Sequence, residues 1–188
     1  MKWRCKTITK LIFTAISLFL TSAIPAQELT GDVRLACEAI LCLSSGIRPS
    51  ECNPSLKRYF GISHKKWSDT LKARKNFLNL CPTAGVDSKM RSLVDAIANG
   101  AGRCDIAALN TLTVPCNSQY GDDACISNQM PGYCGIYYSH EYTDLNQYTP
   151  VYVGTPSEGG FWTERSNYEA AMKGYNERLE RQKRYWSD

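Results

Sequence analysis

Residues 32–45 read Asp-Val-Arg-Leu-Ala-Cys-Glu-Ala-Ile-Leu-Cys-Leu-Ser-Ser, with Gly46 next. Asp32 can accept the free N–H groups of a first helical turn, and Gly46 can supply a left-handed stop. At 100° per residue the apolar side chains between them cover almost the whole circumference. Arg34 and Glu38, four apart, form the single polar edge. A helix apolar nearly all round is a buried helix, so this segment reads as the centre of the molecule, the most enclosed element of the chain. It carries Cys37 and Cys42, whose thiols point to sides roughly 140° apart. The pattern predicts a central helix with other helices stapled round it.

Before this helix, Lys2, Arg4, Lys6 and Lys10 precede a short apolar run from Leu11 to Leu20, and small residues follow up to Ala26. That is the layout of a cleavable secretory signal, residues 1–26, so the chain is expected to be exported. The apolar run is short of the ~20 residues a membrane span needs. All four basic residues of the segment, and none of the acidic ones, leave with it. The remaining chain holds 18 Lys or Arg against 18 Asp or Glu, which removes the charge argument for a nucleic-acid partner. Cys5 also leaves, and eight cysteines remain: Cys37, Cys42, Cys52, Cys81, Cys104, Cys116, Cys125 and Cys134. An even number in an exported chain reads as a disulfide framework.

After Gly46, Asn53-Pro54 starts a short helix, Ser55 to Phe60, ended by Gly61. Cys42 to Cys52 is a natural bridge across the intervening turn. Ser63 then caps a longer helix, His64 to Leu80, stopped by Pro82. Trp67, Leu71, Leu78 and Cys81 make its inner stripe, and Cys81 is placed to bridge to Cys37. Lys65, Asp69, Lys72, Asn76 and Asn79 share the outer face. Arg74 falls inside the apolar stripe, which leaves two readings: its stem packs while its head reaches water, or it pairs with an acid such as Glu38. Asp87 opens a helix to Asn99 with Met90, Leu93, Val94 and Ile97 on one face and Gly100 as terminator, and a short helical piece follows around Cys104 to Leu109.

From Thr113 to Phe161 the character changes. This stretch holds seven of the eleven tyrosines, and Cys116, Cys125 and Cys134 stand nine apart. With no long apolar period, it predicts turns and extended pieces pinned by disulfides rather than a second core. The last segment, Glu164 to Trp186, is helical in period, with Tyr168, Met172, Tyr175 and Leu179 on one face and Thr163 as cap. It can either dock or project. The expected organisation is a signal peptide at 1–26, a helical disulfide core at 27–112, a Cys/Tyr-rich irregular region of the same domain at 113–162 and a C-terminal helix at 163–188. The fold class is mainly α, a small disulfide-stabilised helical domain.

Chemistry-bearing patterns are scarce. Two histidines, His64 and His140, without Cys-x-x-Cys or paired-His spacing, give no zinc site, so no metal and no cofactor are expected. No nucleophile elbow, phosphate loop or zincin motif occurs. Glu38 is the only acid within the expected buried helix and so the single candidate for a glycan-cleaving carboxylic acid. An ion pair with Arg34 explains it equally well. Between Arg48 and Lys75 eight basic residues face two acids; between Val86 and Gly160 eight acids face three basic residues. Two oppositely charged surfaces suit protein docking or an anionic membrane face. The candidate interaction surface is Lys65, Lys66, Asp69, Lys72 and Lys75.

The run Leu29 to Gly46, continuing through Arg48-Pro-Ser-Glu-Cys52, resembles the TrbM/KikA family of bacterial conjugal-transfer proteins. So do Tyr59-Phe-Gly-Ile, Lys72-Ala-Arg-Lys-Asn-Phe-Leu-Asn-Leu and Cys81-Pro, over about residues 29–84. The resemblance implies a periplasmic accessory protein of plasmid mating-pair formation beside a type IV secretion system, with other conjugation proteins as partners. The KikA name implies a link to killing of some recipient hosts. No catalytic residues come with it. The competing expectations are a cell-wall glycan-cleaving enzyme that assists assembly, and a membrane-active toxic factor with peripheral membrane association.

Overall fold

The computed structural model describes residues 29–116 and 124–187, the last two of these by backbone only. The expected signal segment lies outside them, as do Tyr120, Asp122 and Asp123. Seven helices dominate the described residues: α1 Gly31–Ser44, α2 Asn53–Phe60, α3 Trp67–Leu78, α4 Ser88–Gly100, α5 Ile106–Leu109, α6 Gly132–Tyr138 and α7 Tyr168–Ser187. Two short antiparallel hairpins accompany them. In the first, β1 Thr113–Pro115 pairs with β2 Ala124–Ile126; in the second, β3 Val151–Val153 pairs with β4 Phe161–Thr163. The chain is mainly helical, as its periodicity implies.

The helix of residues 32–45 is present, but two parts of its reading are corrected. It is amphipathic rather than enclosed: Ala36, Ala39, Ile40, Cys42 and Leu43 are buried, while Leu41 is 71% exposed. The centre is shared with α4, which buries Leu93, Val94, Ala96, Ile97, Ala98 and Gly100 and packs on α1, α3 and α6. The second correction concerns the ends. Asp32 lies inside the first turn and not at the cap, and Gly46 does not take a left-handed conformation. The stop is tertiary. Asp144 accepts the Gly46 N–H at 2.7 Å and the Ser45 hydroxyl at 3.2 Å, and its own N–H donates to the Ser44 carbonyl at 3.1 Å. Gly46 is needed because the ring of Tyr148 occupies the space a Cβ would take.

Thr70, not Ser63, organises the entry to α3. Its buried hydroxyl accepts the His64 N–H at 2.8 Å, so His64 to Lys66 fold back over the first turn instead of extending the helix. The buried stripe of α3 is Thr70, Arg74, Phe77 and Leu78, and Trp67 is 39% exposed. Arg74 follows neither expected course. Only 8% exposed, it donates from Nε to the Ile62 carbonyl at 3.2 Å and from Nη2 to the Phe60 carbonyl at 3.5 Å. Its guanidinium carbon lies over Tyr59, Phe60 and Trp67 at 5.0, 5.4 and 5.5 Å from the ring centroids. The cation thus sits where the partial negative charge of the α2 C-terminus collects. Arg103 repeats the device, donating to the Asn99 carbonyl near the end of α4 at 3.3 Å and stacking between Trp67 and Tyr133.

Asp87 caps α4 by accepting the Met90 N–H at 2.8 Å, and Asp105 caps α5 through the Ala108 N–H at 2.8 Å. Gly100 is the last helical residue and not a terminator; the side chain of Tyr137 fills the space beside it. The Tyr-rich stretch contains a helix, α6, that the sequence reading passed over. Its Cys134, Tyr137 and Tyr138 join Leu145 and Trp162 in the same apolar cluster as Ala36, Leu43, Tyr59 and Ile97. Beyond Thr163 the chain makes one 3-10 turn, Arg165–Asn167, before α7 begins. That helix docks through Tyr175, which is 5% exposed and whose hydroxyl accepts the Thr155 N–H and donates to Glu158. Arg178 adds bonds to the Glu158 and Gly159 carbonyls at 3.0 and 2.8 Å. By Tyr185 the helix is out in solvent, with that residue 77% exposed.

Candidate functional site

A cleft built from several elements opens on the described surface. Its floor is buried and largely apolar: Tyr137 and Tyr138 of α6, with Leu145 and Pro150 of the following segment. Arg48 from the α1–α2 loop, Asp105 at the head of α5, Gln147, Tyr148, and Glu164 to Ser166 before α7 form an exposed rim. The volume is about 510 Å³, within the range of pre-formed ligand clefts. A second lobe of about 380 Å³ shares Arg48, Asp105, Tyr137 and Tyr138 and runs on past Gly100 and Gly102 to Phe60. The cleft exists because α6 is held from both sides. Tyr137 donates to the Leu43 carbonyl at 2.6 Å and Tyr138 to the Cys104 carbonyl at 2.8 Å, and Cys134 is joined to Cys104.

The electrostatics separate floor from rim. Burial pushes the Tyr137 hydroxyl up to about 12, against the pull of the nearby Arg48 guanidinium. Burial raises Tyr138 too, with Tyr137 and Asp105 adding to it. Both hydroxyls therefore stay neutral donors. On the rim the acids are engaged within the chain. Asp105 caps α5, and Glu164 accepts from Ser166 and Asn167 at 3.4 and 3.2 Å. Neither Arg48 nor Arg165 forms an ion pair among the described residues.

The residues singled out from sequence lie elsewhere. Lys65, Lys66, Asp69, Lys72 and Lys75 are all exposed. Lys65 and Lys66 precede α3, and Lys75 is ion-paired to Asp95 of α4. The basic and acidic stretches thus meet within the molecule at this point, and inside the acidic stretch Lys89 pairs with Glu141 at 2.7 Å. Glu38 pairs with Arg34 at 3.1 Å on the outside of α1 and does not line the cleft. The structure joins Cys37 to Cys81, Cys42 to Cys52, Cys104 to Cys134 and Cys116 to Cys125.

One pairing resembles catalytic machinery. Ser92 Oγ lies 2.8 Å from His140 Nε2. However, His140 Nδ1 accepts the Tyr142 N–H at 3.1 Å, so the neutral ring carries its proton on Nε2 and donates it to Ser92. A base must accept from its nucleophile, and this tautomer is the reverse. Among the described residues no group of three or more His, Cys, Asp or Glu could hold a metal ion, and no helix is long and apolar enough to cross a membrane.

Sequence reasoning missed the cleft because its lining comes from five separate segments. Arg48-Pro49 and the adjacent Tyr137-Tyr138 were the available signals. Neither has a period, and nothing local shows that they meet.

A family model, TrbM, matches residues 28–176, which takes in every element up to the middle of α7. No curated protein and no solved structure matches the chain.

Proposed function

We propose, from the premise that this chain belongs to the TrbM family of conjugal-transfer proteins, that it is an exported accessory protein of plasmid conjugation. It works in the periplasm, beside a type IV secretion and mating-pair apparatus, through contacts with other proteins of that system. The family match carries this reading. Four disulfides support the export step, since such bonds persist in oxidising compartments. The described chemistry supports a binding role: aromatic groups and charges of both signs stand on a surface cleft, and the acid considered for glycan cleavage, Glu38, is paired with Arg34.

The test is a donor strain carrying the transfer system with this gene deleted. Transfer frequency is expected to fall at least tenfold. It should recover with the complete chain and not with a version starting at Gln27 that stays in the cytoplasm. Unchanged transfer after deletion, or equal rescue by both versions, would overturn the reading. Counting surviving recipients in the same matings tests the link to recipient killing.

A further inference from the structure

We propose that this chain reaches its native bridges through a thiol–disulfide isomerase, a partner that reshuffles bonds first made between consecutive cysteines. The compartment rests on the export reading above; the partner rests on the connectivity of the four bonds.

Those bonds form two nested sets. Cys42–Cys52 lies inside the loop closed by Cys37–Cys81, and Cys116–Cys125 lies inside the loop closed by Cys104–Cys134. The outer bonds span 44 and 30 residues, the inner ones 10 and 9. A chain that emerges N-terminus first presents its cysteines to an oxidant in order. Each meets its nearest predecessor first, and closing a short loop costs less chain entropy than closing a long one. A dithiol oxidase, taking two electrons and two protons per bond, therefore joins Cys37 to Cys42, Cys52 to Cys81, Cys104 to Cys116 and Cys125 to Cys134. None of these is a bond of the folded protein.

The first of them is incompatible with the fold. Cys37 and Cys42 both lie in α1, where five residues of helix advance about 7.5 Å along the axis alone. The Cα atoms of a bridged pair stand within about 7 Å of each other, so a Cys37–Cys42 bond unwinds α1. With it goes the burial of Ala36, Ala39, Ile40 and Leu43. A Cys125–Cys134 bond likewise takes Cys134 from Cys104, the bond that pins α6.

Burial then separates right bonds from wrong ones. In the folded protein Cys52, Cys81, Cys104 and Cys134 are 5%, 3%, 1% and 0% exposed, out of reach of an attacking thiolate. A chain with α1 unwound exposes its bonds together with the apolar side chains of its core. The partner is thus a protein with a reactive cysteine thiolate and an apolar surface for unfolded chain. The exchange balances with no net oxidation. The isomerase thiolate attacks the Cys42 sulfur, breaks Cys37–Cys42 and releases the Cys37 thiolate. That thiolate attacks Cys81 in the Cys52–Cys81 bond and frees Cys52. The Cys52 thiolate attacks Cys42 in the mixed disulfide and returns the isomerase thiolate, leaving Cys37–Cys81 and Cys42–Cys52.

The test produces the full chain in two bacterial hosts, with and without their periplasmic disulfide isomerase. Free thiols are blocked with N-ethylmaleimide, and bridged peptides are mapped by mass spectrometry; Glu38 and Glu51 allow cleavage between Cys37, Cys42 and Cys52. Loss of the isomerase should lower the yield of Cys37–Cys81 at least fivefold and enrich Cys37–Cys42. With Cys42, Cys52, Cys116 and Cys125 all changed to alanine, the outer bonds become the consecutive ones, and both hosts should form them equally. Changing only Cys42 and Cys52 to alanine keeps more of the framework. It should free Cys37–Cys81 from the isomerase and leave Cys104–Cys134 dependent on it. Equal native yield of the parent chain in both hosts would sink the proposal, as would undiminished isomerase dependence in both variants. A chain left fully reduced in both hosts would count against export instead, and purified components then decide. Reduced chain oxidised with diamide should gain native bonds when catalytic reduced isomerase is added, and not with a form lacking the attacking cysteine. No gain there would equally overturn the inference.

Discussion

Residues 31–109 and residues 113–167 contribute to the same apolar cluster by different physics. In the first region, helices meet along periodic stripes, and what holds them is area: Leu43, Tyr59, Leu78, Val94 and Ile97 are almost wholly buried. Burial of such a side chain contributes about 1.5–3 kcal/mol, without a strong demand on direction. In the second region, regular structure is short and aromatic residues end in directed hydrogen bonds. Tyr137 reaches Leu43 O, Tyr138 reaches Cys104 O, and Tyr152 reaches Ile126 O. Trp162 Nε1 donates to Ser127 O at 2.8 Å, and Asn110 clamps the Trp162 backbone with bonds of 2.7 and 3.0 Å. The first region can absorb a change of side chain by repacking. The second depends on particular atoms.

The largest effect should come from the bridges, and it tests whether the two regions differ in what their bridges constrain. The Cys37–Cys81 bond closes 44 residues and ties α1 to the end of α3, whereas Cys116–Cys125 closes nine within a hairpin. Chain-entropy scaling predicts losses of about 4 and about 2.6 kcal/mol when each pair is replaced by alanine. Urea unfolding of the two double variants checks this. Equal losses would show that the hairpin carries as much of the fold as the helical core does.

Arg74 is an exception inside the first region, as Arg103 is, because there a directed contact replaces area. Arg74→Met should cost about 2 kcal/mol, since it preserves the stem but abandons two carbonyls and the stacking over three rings. Arg74→Lys should recover only part of this, because an ammonium cannot both stack and span two carbonyls. Full recovery with lysine, measured by thermal melting, would reduce the site to simple charge at a helix end.

These differences also set what could be read from sequence. The helices of 31–109 are periodic, so Leu93, Val94 and Ile97 declare their face, and Asp87 declares the start. Helix ends that use tertiary partners do not declare themselves: Gly46 looked like a left-handed stop, yet α1 is ended by Asp144, almost a hundred residues away. Arg74 was visible as an oddity in an apolar stripe, but its aromatic box comes from the neighbouring α2 as well as from its own helix. The helix α6 was not legible because Gly132-Tyr-Cys-Gly-Ile-Tyr-Tyr is short, starts on glycine and has aromatic residues of indifferent helix propensity. Its packing against α4 makes it helical, and the cleft depends on it.

In the second region, Tyr138→Phe removes one oxygen and should cost about 1 kcal/mol, the value of a buried neutral hydrogen bond. Faster amide exchange from Cys104 to Leu109 is the expected signature, since the Cys104 carbonyl loses its donor at the entrance to α5. An equal loss of protection across α1 to α3 would mean that the bond supports the whole core and not this junction, and the contrast between the regions would fail.

The smallest effect concerns the surface of the helical region. Arg58 holds Asp32 bidentately, Nε to Oδ1 at 3.1 Å and Nη2 to Oδ2 at 2.8 Å. This hydrogen bonding holds the Asp32 carboxyl below its ordinary value of 3.8. A depressed carboxylate favours the fold at pH values above its unfolded value, and that benefit disappears as pH falls through the folded one. Asp32→Asn should therefore lower the urea midpoint slightly near neutral pH and match the parent once pH is well below 3.8. Because the two side chains are 46% and 42% exposed, molar salt should shrink the neutral-pH difference. Arg58→Gln should behave differently. Arg58 also covers the ring of Phe77 at 5.1 Å, so part of its loss is packing, indifferent to pH, and should survive in acid. If Asp32→Asn retains its full deficit at pH 2, Asp32 acts through something other than its charge, and even the exposed face of the first region is held by directed contacts.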